Sequence, residues 1–480
     1  MVRKNIDMPE NNMSGERDVL RNYWEAYAAE PTIESMMLNA NAADIEESDR
    51  ADVMGGLPAN MNKMSVLEIG AGIGRFTKPL AERSREVLAT DFIKSFVDKN
   101  EELHKNLGNV SFLVGDAVNM EQESRSRDMV FTNWLLMYLT DEEASTFFFN
   151  AVRWLRPGGY LHMRESCTES STRSKSTHAS ENPTHYRHIS VYLSMLRSVQ
   201  WTDETGQAWR LKPLWCRSIN TYVYAKNNWR QCQLLIRKVP ASKGIVHKAA
   251  NNETELAAIA QAAHLQQEQL EAKFSSQLKN DTKVIERLQD MQDDGSAVNH
   301  VLNLCPKEVC SFELSEKLGC SVSAFAADPF EYAALLTEAT KRQNKRVRIY
   351  WSCFDEQGWI LPPSCADVVI WGNWQLPADS AWIVENIKKS MRSHAQFLFT
   401  SMANVSVLDR FLKEFGLLTV VPCLIRAGGY RDSSGSSDDD GKIFKVNEKH
   451  SKVKPSNSCE SFESLDSGII DLPRTTVNAQ

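Results

Sequence analysis

The chain has 480 residues, 42% of them hydrophobic, and a formal net charge of −7. That length suggests about three domains with real cores, and the negative balance excludes a general nucleic-acid binder, which would carry a basic stripe. Met1 to Glu10 mixes charges and lacks the apolar region of a signal peptide, and no apolar run approaches the roughly 18 residues of a membrane-spanning helix. Ten cysteines are scattered without a C-x-x-C pair, and Cys305 and Cys310 are too isolated to claim a zinc site. The expectation is a cytoplasmic, multidomain protein with reduced thiols and neither a membrane nor a nucleic-acid partner.

After a flexible N-terminus over 1–15, residues 16 to 54 read as helical. Tyr23, Trp24 and Tyr27 come first, and Thr32 caps the run from Ile33 to Leu38. The stretch that organises the rest follows, from Val66 to Thr77. Ser65 to Ile69 is the apolar pattern of a buried parallel strand, and Phe76 to Arg83 starts a helix. Between them stand Gly70, Gly72 and Gly74, glycines where the backbone must turn sharply and approach a ligand without a Cβ in the way. The dinucleotide fingerprint is G-x-G-x-x-G, whereas this loop is G-x-G-x-G preceded by Glu68. An acid beside the loop suits a cationic ligand and repels a pyrophosphate. The pattern resembles class I S-adenosylmethionine-dependent methyltransferases, whose Rossmann-like α/β sheet is the fold class expected here.

The following elements keep that order. The second strand, Glu86 to Thr90, ends in Asp91, an acid placed to accept two ribose hydroxyls. It could also cap the helix that follows. The third, Val110 to Val114, runs into Gly115-Asp116-Ala117. The fourth, Asp128 to Thr132, leads into Asn133-Trp134-Leu135-Leu136-Met137-Tyr138-Leu139. A helix over 141 to 155 and a turn over Arg156 to Tyr160 precede the fifth strand, Tyr160 to Arg164. A polar segment then carries Ser166, Ser171, Thr172, Tyr186 and the cations Arg173, Lys175 and Arg187, groups able to hold a phosphate by charge-assisted hydrogen bonds. Leu214 to Lys226 and Trp229 to Lys238 read as a closing antiparallel pair.

Asn133 to Leu139, Arg164-Glu165-Ser166-Cys167, Asn182 to Arg187 and Asn22-Tyr23-Trp24 resemble the first catalytic domain of phosphoethanolamine N-methyltransferases, across roughly residues 15 to 240. The likeness is to the nematode type with an N-terminal catalytic domain, which adds the first methyl group. It implies S-adenosyl-L-methionine as cofactor, held by Glu68, Gly70, Gly72, Arg75, Asp91, Asp116, Ala117 and Asn133. It implies phosphoethanolamine as acceptor, held by Ser166, Ser171, Thr172, Tyr186, Arg187 and a basic position that Lys175 or Ser176 matches. Another small-molecule N- or O-methyltransferase, or a cofactor-binding regulatory protein with an inactive site, are the alternatives.

A primary amine with a pKa of about 10.4 must lose a proton before it attacks. That costs roughly 4.6 kcal/mol at pH 7, part of which a positioned base can supply. By the resemblance, some single-domain relatives use an Asp and a His just after the fourth strand, where this chain has Trp134 and Tyr138. The expectation is therefore that Tyr138 or His185 takes the proton while Tyr23 closes the site.

The catalytic domain is expected over 16–240 and a connector of one or two amphipathic helices over 241–295. Residues 296–428 repeat an α/β pattern without a G-x-G-x-G loop, a degenerate methyltransferase-like domain with a further sheet. Its expected roles are folding support, regulation or homo-oligomer formation. The remainder, 429–480, is polar and expected to be disordered.

Overall fold

The computed structural model describes residues 15–27, 31–170, 182–241, 249–279, 281–352, 361, 364–372 and 381–400. Ser171, Thr172 and Lys175, the part of the expected C-terminal α/β region beyond 400 and the polar tail lie outside the described residues.

Strand β1 (Ser65–Ile69) is buried along its whole length. Val66 faces one apolar core, while Leu67 and Ile69 face the other, which is why the segment reads as continuous rather than alternating. It pairs in parallel with β2 (Glu86–Asp91) and β4 (Arg127–Thr132), Leu67 standing between Leu88 and Val130. Strand β3 (Val110–Val114) lies outside β2 and forms one sheet edge. Beyond β4 come β5 (Leu155–Ser166), then β8 (Gln231–Pro240) and β7 (Ala208–Ser218), both antiparallel; the short β6 (Gln200–Thr202) pairs with β7 off the main path. Helices α1 (Gly15–Glu25), α2 (Ile33–Met36) and α3 (Glu46–Gly55) precede the sheet, and α4 (Thr77–Arg83) and α5 (Lys94–His104) connect β1, β2 and β3. Helix α6 (Asp141–Trp154) opens on a capping box that the sequence spells out. Thr140 Oγ1 accepts the Glu143 N–H at 3.2 Å, and the Glu143 carboxylate accepts the Thr140 N–H at 3.0 Å.

Several expectations change. The expected turn over Arg156 to Tyr160 falls inside β5. The expected strand over Leu214 to Lys226 is instead the end of β7 followed by helix α8 (Asn220–Lys226), which closes at Asn227 in the left-handed region. Helix α7 (Ile189–Ser198) was not expected at all. Ser190, Ser194, Arg197 and Ser198 do fall on one face at helical spacing, but the helix is short and most of its residues, Ser190 and Ser198 included, are buried.

The larger change concerns the C-terminal half. Its strands β9 (His300–Asn303), β10 (Ser321–Phe325), β11 (Val347–Ser352), β12 (Ala366–Trp371) and β13 (Met391–Phe399) do not form a further sheet. Strand β11 pairs antiparallel with β7, Trp351 opposite Cys216, and one 13-stranded sheet runs from β13 to β3. Of these elements, β9 and helix α11 (Ser311–Leu318) were not read from the sequence. Helices α9 (Glu253–Gln277) and α10 (Thr282–Asp293) are the two expected connector helices. Yet α9 is no free linker: its Leu256, Ala260, Ala263 and Phe274 are buried in the core shared with α6, α7 and α12 (Pro329–Arg342). Helix α13 (Ala381–Ser390) leads into β13. No helix among the described residues is long and apolar enough to cross a membrane.

Candidate active site

The parallel strands β1, β2, β4 and β5 end on one side, as in open α/β sheets whose ligands bind at the strands' carboxyl ends. There the loops enclose a cavity of about 830 Å³, roofed by α1 and α2. Gly70, Gly72 and Gly74 have φ of 70°, 55° and 92°, a region L side chains rarely adopt. At Gly74 a Cβ would also lie 2.1 Å from Asn100 Oδ1, so this glycine serves packing as well as the turn.

Two acids brace the loop. Glu68 is 2% exposed, lines the cavity and accepts the Thr77 hydroxyl at 2.6 Å. Burial pushes its pKa up to about 8, against the Thr77 hydrogen bond. Asp91 Oδ2 accepts the Gly72 N–H at 2.9 Å and Oδ1 the Ile93 N–H at 3.0 Å. Burial raises its pKa to about 6, opposed by those backbone bonds. Asp91 lines the cavity, but it does not cap the next helix, whose N-cap is Ile93 with no side-chain cap bond.

Ala117 and Asn133 line the same cavity, and Asn133 Oδ1 is buried without a hydrogen-bond partner. Asp116 sits just behind the lining. Its Oδ1 accepts the Val118 N–H at 2.8 Å, and Oδ2 is held by Arg17 of α1, a residue the sequence reading passed over. Arg75 reaches the cavity but is anchored on Asp49 and, at 3.3 Å, on Glu46. Asp49, fully buried, also accepts Arg164 Nη2 at 3.0 Å. Arg164 lies 3.5 Å from the ring centroid of Trp134, whose backbone has a φ of 56°.

The loop after β4 is fixed by Glu165, which sequence reasoning quoted only as part of a motif. Its carboxylate accepts the N–H groups of Leu135, Leu136 and Met137 at 3.2, 3.0 and 3.2 Å. Burial still lifts its pKa to about 7. Tyr138 is thereby set into the cavity wall, edge-on to Trp24 at 5.4 Å, and Trp24 in turn contacts Tyr23 at 5.5 Å. Burial raises the Tyr138 pKa well above its usual value, so the phenol keeps its proton at neutral pH and is no ready base.

Ser166, Thr184 and Tyr186 also line the cavity, with Tyr186 packed against Met137 and Tyr138. Ser166 Oγ donates to Gln231 Oε1 at 3.0 Å, the same oxygen that accepts the Trp134 indole N–H at 2.9 Å. Two expected residues are placed elsewhere. His185 is exposed and lines an adjoining cavity of about 350 Å³, its backbone N–H bonded to Met137 O at 2.6 Å. Arg187 is 2% exposed and committed to the fold. Nε donates to Asp141 Oδ1 at 2.7 Å, Nη1 to Leu136 O at 2.9 Å and Nη2 to Leu139 O at 2.6 Å. It ties the acceptor-side segment to the loop after β4 rather than facing the cavity.

Known proteins add to this picture. The methyltransferase domain family matches residues 66–159. Phosphoethanolamine N-methyltransferase 1 of Caenorhabditis elegans is 40% identical over 345 residues, 69% of this chain and 71% of that protein. Phosphoethanolamine N-methyltransferase 3 of Arabidopsis thaliana is 38% identical over 226 residues, 47% of this chain and 45% of that protein. The solved structure of Haemonchus contortus phosphoethanolamine N-methyltransferase 1, in complex with phosphoethanolamine and S-adenosylhomocysteine, superposes with a TM-score of 0.74 at 34% identity, covering 84% of this chain and 90% of that one.

Proposed function

The chain belongs to the phosphoethanolamine N-methyltransferase family, and we propose that it transfers one methyl group from S-adenosyl-L-methionine to phosphoethanolamine, giving phosphomonomethylethanolamine. One observation carries this reading: a single cavity joins a glycine cradle, braced by Glu68 and Asp91, to a wall bearing the hydroxyls of Ser166, Thr184 and Tyr186.

The cradle fits the cofactor on its own chemistry. It offers an acid for the ribose in Asp91 and an orphaned buried oxygen on Asn133 that wants a donor. It also offers Glu68, a carboxyl that a nearby cation would drive to ionise. In this reading Gly70 and Gly72 give backbone access, Ala117 packs on the adenine and Asp116 accepts from its amino group. Arg75 holds the loop through Asp49. S-adenosyl-L-methionine, when bound, supplies an electrophilic methyl group on a sulfonium.

The chain's own work is to hold the amine in line and unprotonated. Tyr23, Trp24 and Tyr138 exclude water over the reacting end, and burial there disfavours the charged ammonium. The Tyr138 oxygen, still protonated, serves as a hydrogen-bond acceptor that orients the amine, with proximity providing much of the rate. Ser166 and Tyr186 take the phosphate, joined in the expected set by Ser171, Thr172 and Lys175. A cytoplasmic setting agrees with Cys167, Cys216 and Cys232, buried as free cysteines.

The test is mass spectrometry of the products formed from phosphoethanolamine and from its mono- and dimethyl forms. One methyl group added to phosphoethanolamine, with no turnover of the methylated forms, is expected. Transfer to unphosphorylated amines alone, or cofactor binding without any turnover, would overturn the reading.

A further inference from the structure

Behind the acceptor wall lies a chain of polar contacts that leads out of the catalytic half. Glu169 lines the cavity, and its carboxylate is 3.2 Å from Arg230 Nη1. Arg230 braces the same segment through its backbone, its carbonyl accepting the Cys167 N–H at 2.8 Å. On its far side Arg230 Nη2 donates to Thr337 Oγ1 of α12 at 3.4 Å. That hydroxyl donates in turn to Glu271 Oε1 of α9 at 2.8 Å. Glu271 is further held by Gln267 Nε2 at 3.2 Å. Thus a helix of the half that lacks a glycine loop stands two side chains away from the cavity wall.

The charges explain what such a contact is for. A phosphate monoester carries a charge of about −1.5 to −2 at pH 7, and a carboxylate on the wall that receives it is repulsive unless paired. Arg230 supplies the pair and keeps the Glu169 carboxylate turned towards itself. Arg230 sits at the entry to β8 on a long side chain, so its direction depends on what it meets at the other end. Thr337 is 9% exposed and cannot move freely, and Glu271 adds a charge of the right sign behind it.

We propose that the C-terminal half is a positioning element for the acceptor site: Thr337 and Glu271 hold Arg230, and Arg230 holds Glu169 off the acceptor's phosphate. The inference rests on the phosphate lying at this wall, as the functional reading has it. It gives the degenerate half a task that requires no cofactor of its own.

Steady-state kinetics on the full chain test it, with each substrate varied in turn. Arg230→Ala is expected to raise KM for phosphoethanolamine about three- to tenfold, with kcat and KM for S-adenosyl-L-methionine changed less than about twofold. Thr337→Val, nearly isosteric and able to report even if Arg230→Ala fails to fold, moves the same KM in the same direction by less. Adding Glu169→Gln to either variant restores the KM, because the repelling charge is gone. Ser275→Ala removes a different α9–α12 bond, Ser275 to Glu338 at 2.9 Å, and leaves both KM values unchanged. Failure of Glu169→Gln to rescue, an equal rise in KM for the cofactor, or the same effect from Ser275→Ala would each overturn the proposal. Absence of phosphoethanolamine turnover in the unaltered chain would instead defeat the functional reading.

Discussion

The two halves of the sheet share a frame and differ in what fills it. In the N-terminal half the parallel strands run β3-β2-β1-β4-β5, and in the C-terminal half β11-β10-β9-β12-β13, the same order. At the end of β1 three glycines open a cradle. At the end of β9 the corresponding loop is shut by side chains. Asn303 Nδ2 donates to Val309 O and Ser311 Oγ, both at 2.8 Å, and Leu304 and Cys305 are buried. A Cβ on Gly372, just after β12, would meet Glu308 Oε2 at 2.2 Å and Cys305 Cβ at 2.7 Å, so no ligand-sized gap remains there. Asp91 faces a cavity, whereas Asp328, which follows β10, spends its carboxylate capping α12 through the N–H groups of Phe330 and Glu331. The sheet order supplies a place for a site; loop side chains decide whether there is one.

That contrast can be broken experimentally. The largest effect is expected from Asp91→Ala, which removes the proposed ribose acceptor and releases the Gly72 N–H. Two hydrogen bonds to a charged group are worth about 1.5–3 kcal/mol each, so Kd for S-adenosyl-L-methionine should rise about a hundredfold or more by calorimetric titration. The same titration on the unaltered chain should give a single cofactor per chain; a second would contradict the plugged β9 loop. Next in size is Gly372→Ala, which should destabilise the fold by about 1–3 kcal/mol through overpacking and lower Tm. Cofactor affinity should stay the same, because this glycine serves packing alone.

The smallest effect concerns protons. With its pKa raised from 4.5 to about 8, Glu68 keeps its proton in the fold where the unfolded chain has lost it. Its contribution is fully present below 4.5 and is lost as pH rises through about 8. Glu68→Gln should therefore flatten the fall of Tm over that interval. The flattening is partial, because Asp91 and Glu165, at about 6 and about 7, act in the same direction.

Much of the site was legible because local rules carry it. A buried strand, glycines at alternate positions, and acids at the ends of β1 and β2 each follow from short-range chemistry, as does the Thr140–Glu143 capping box. Arg187 was misread for a reason of the same kind. An arginine beside Tyr186 looks alike in sequence whether its guanidinium meets a phosphate or five protein oxygens, and only the return of the loop after β4 decides. His185 adjoins the same segment but turns outward. Arg17 carried no signal, since its partner Asp116 lies 99 positions away. Helix α7 was missed although Ser190, Ser194, Arg197 and Ser198 recur at helical spacing, a signal that spans only two to three turns.

The amino-acid sequence by itself determined the cofactor cradle, the succession of strands along the first half and the resemblance that points to the acceptor. Those features are written in residues close together along the chain, where backbone propensity and side-chain type act directly. Tertiary structure alone decided that Tyr138 is buried in the cavity wall, that Arg187 belongs to the fold, and that β11 joins β7 to make two halves one sheet. Each of these depends on desolvation or pairing between distant segments, and such energies exist only once the chain has brought them together.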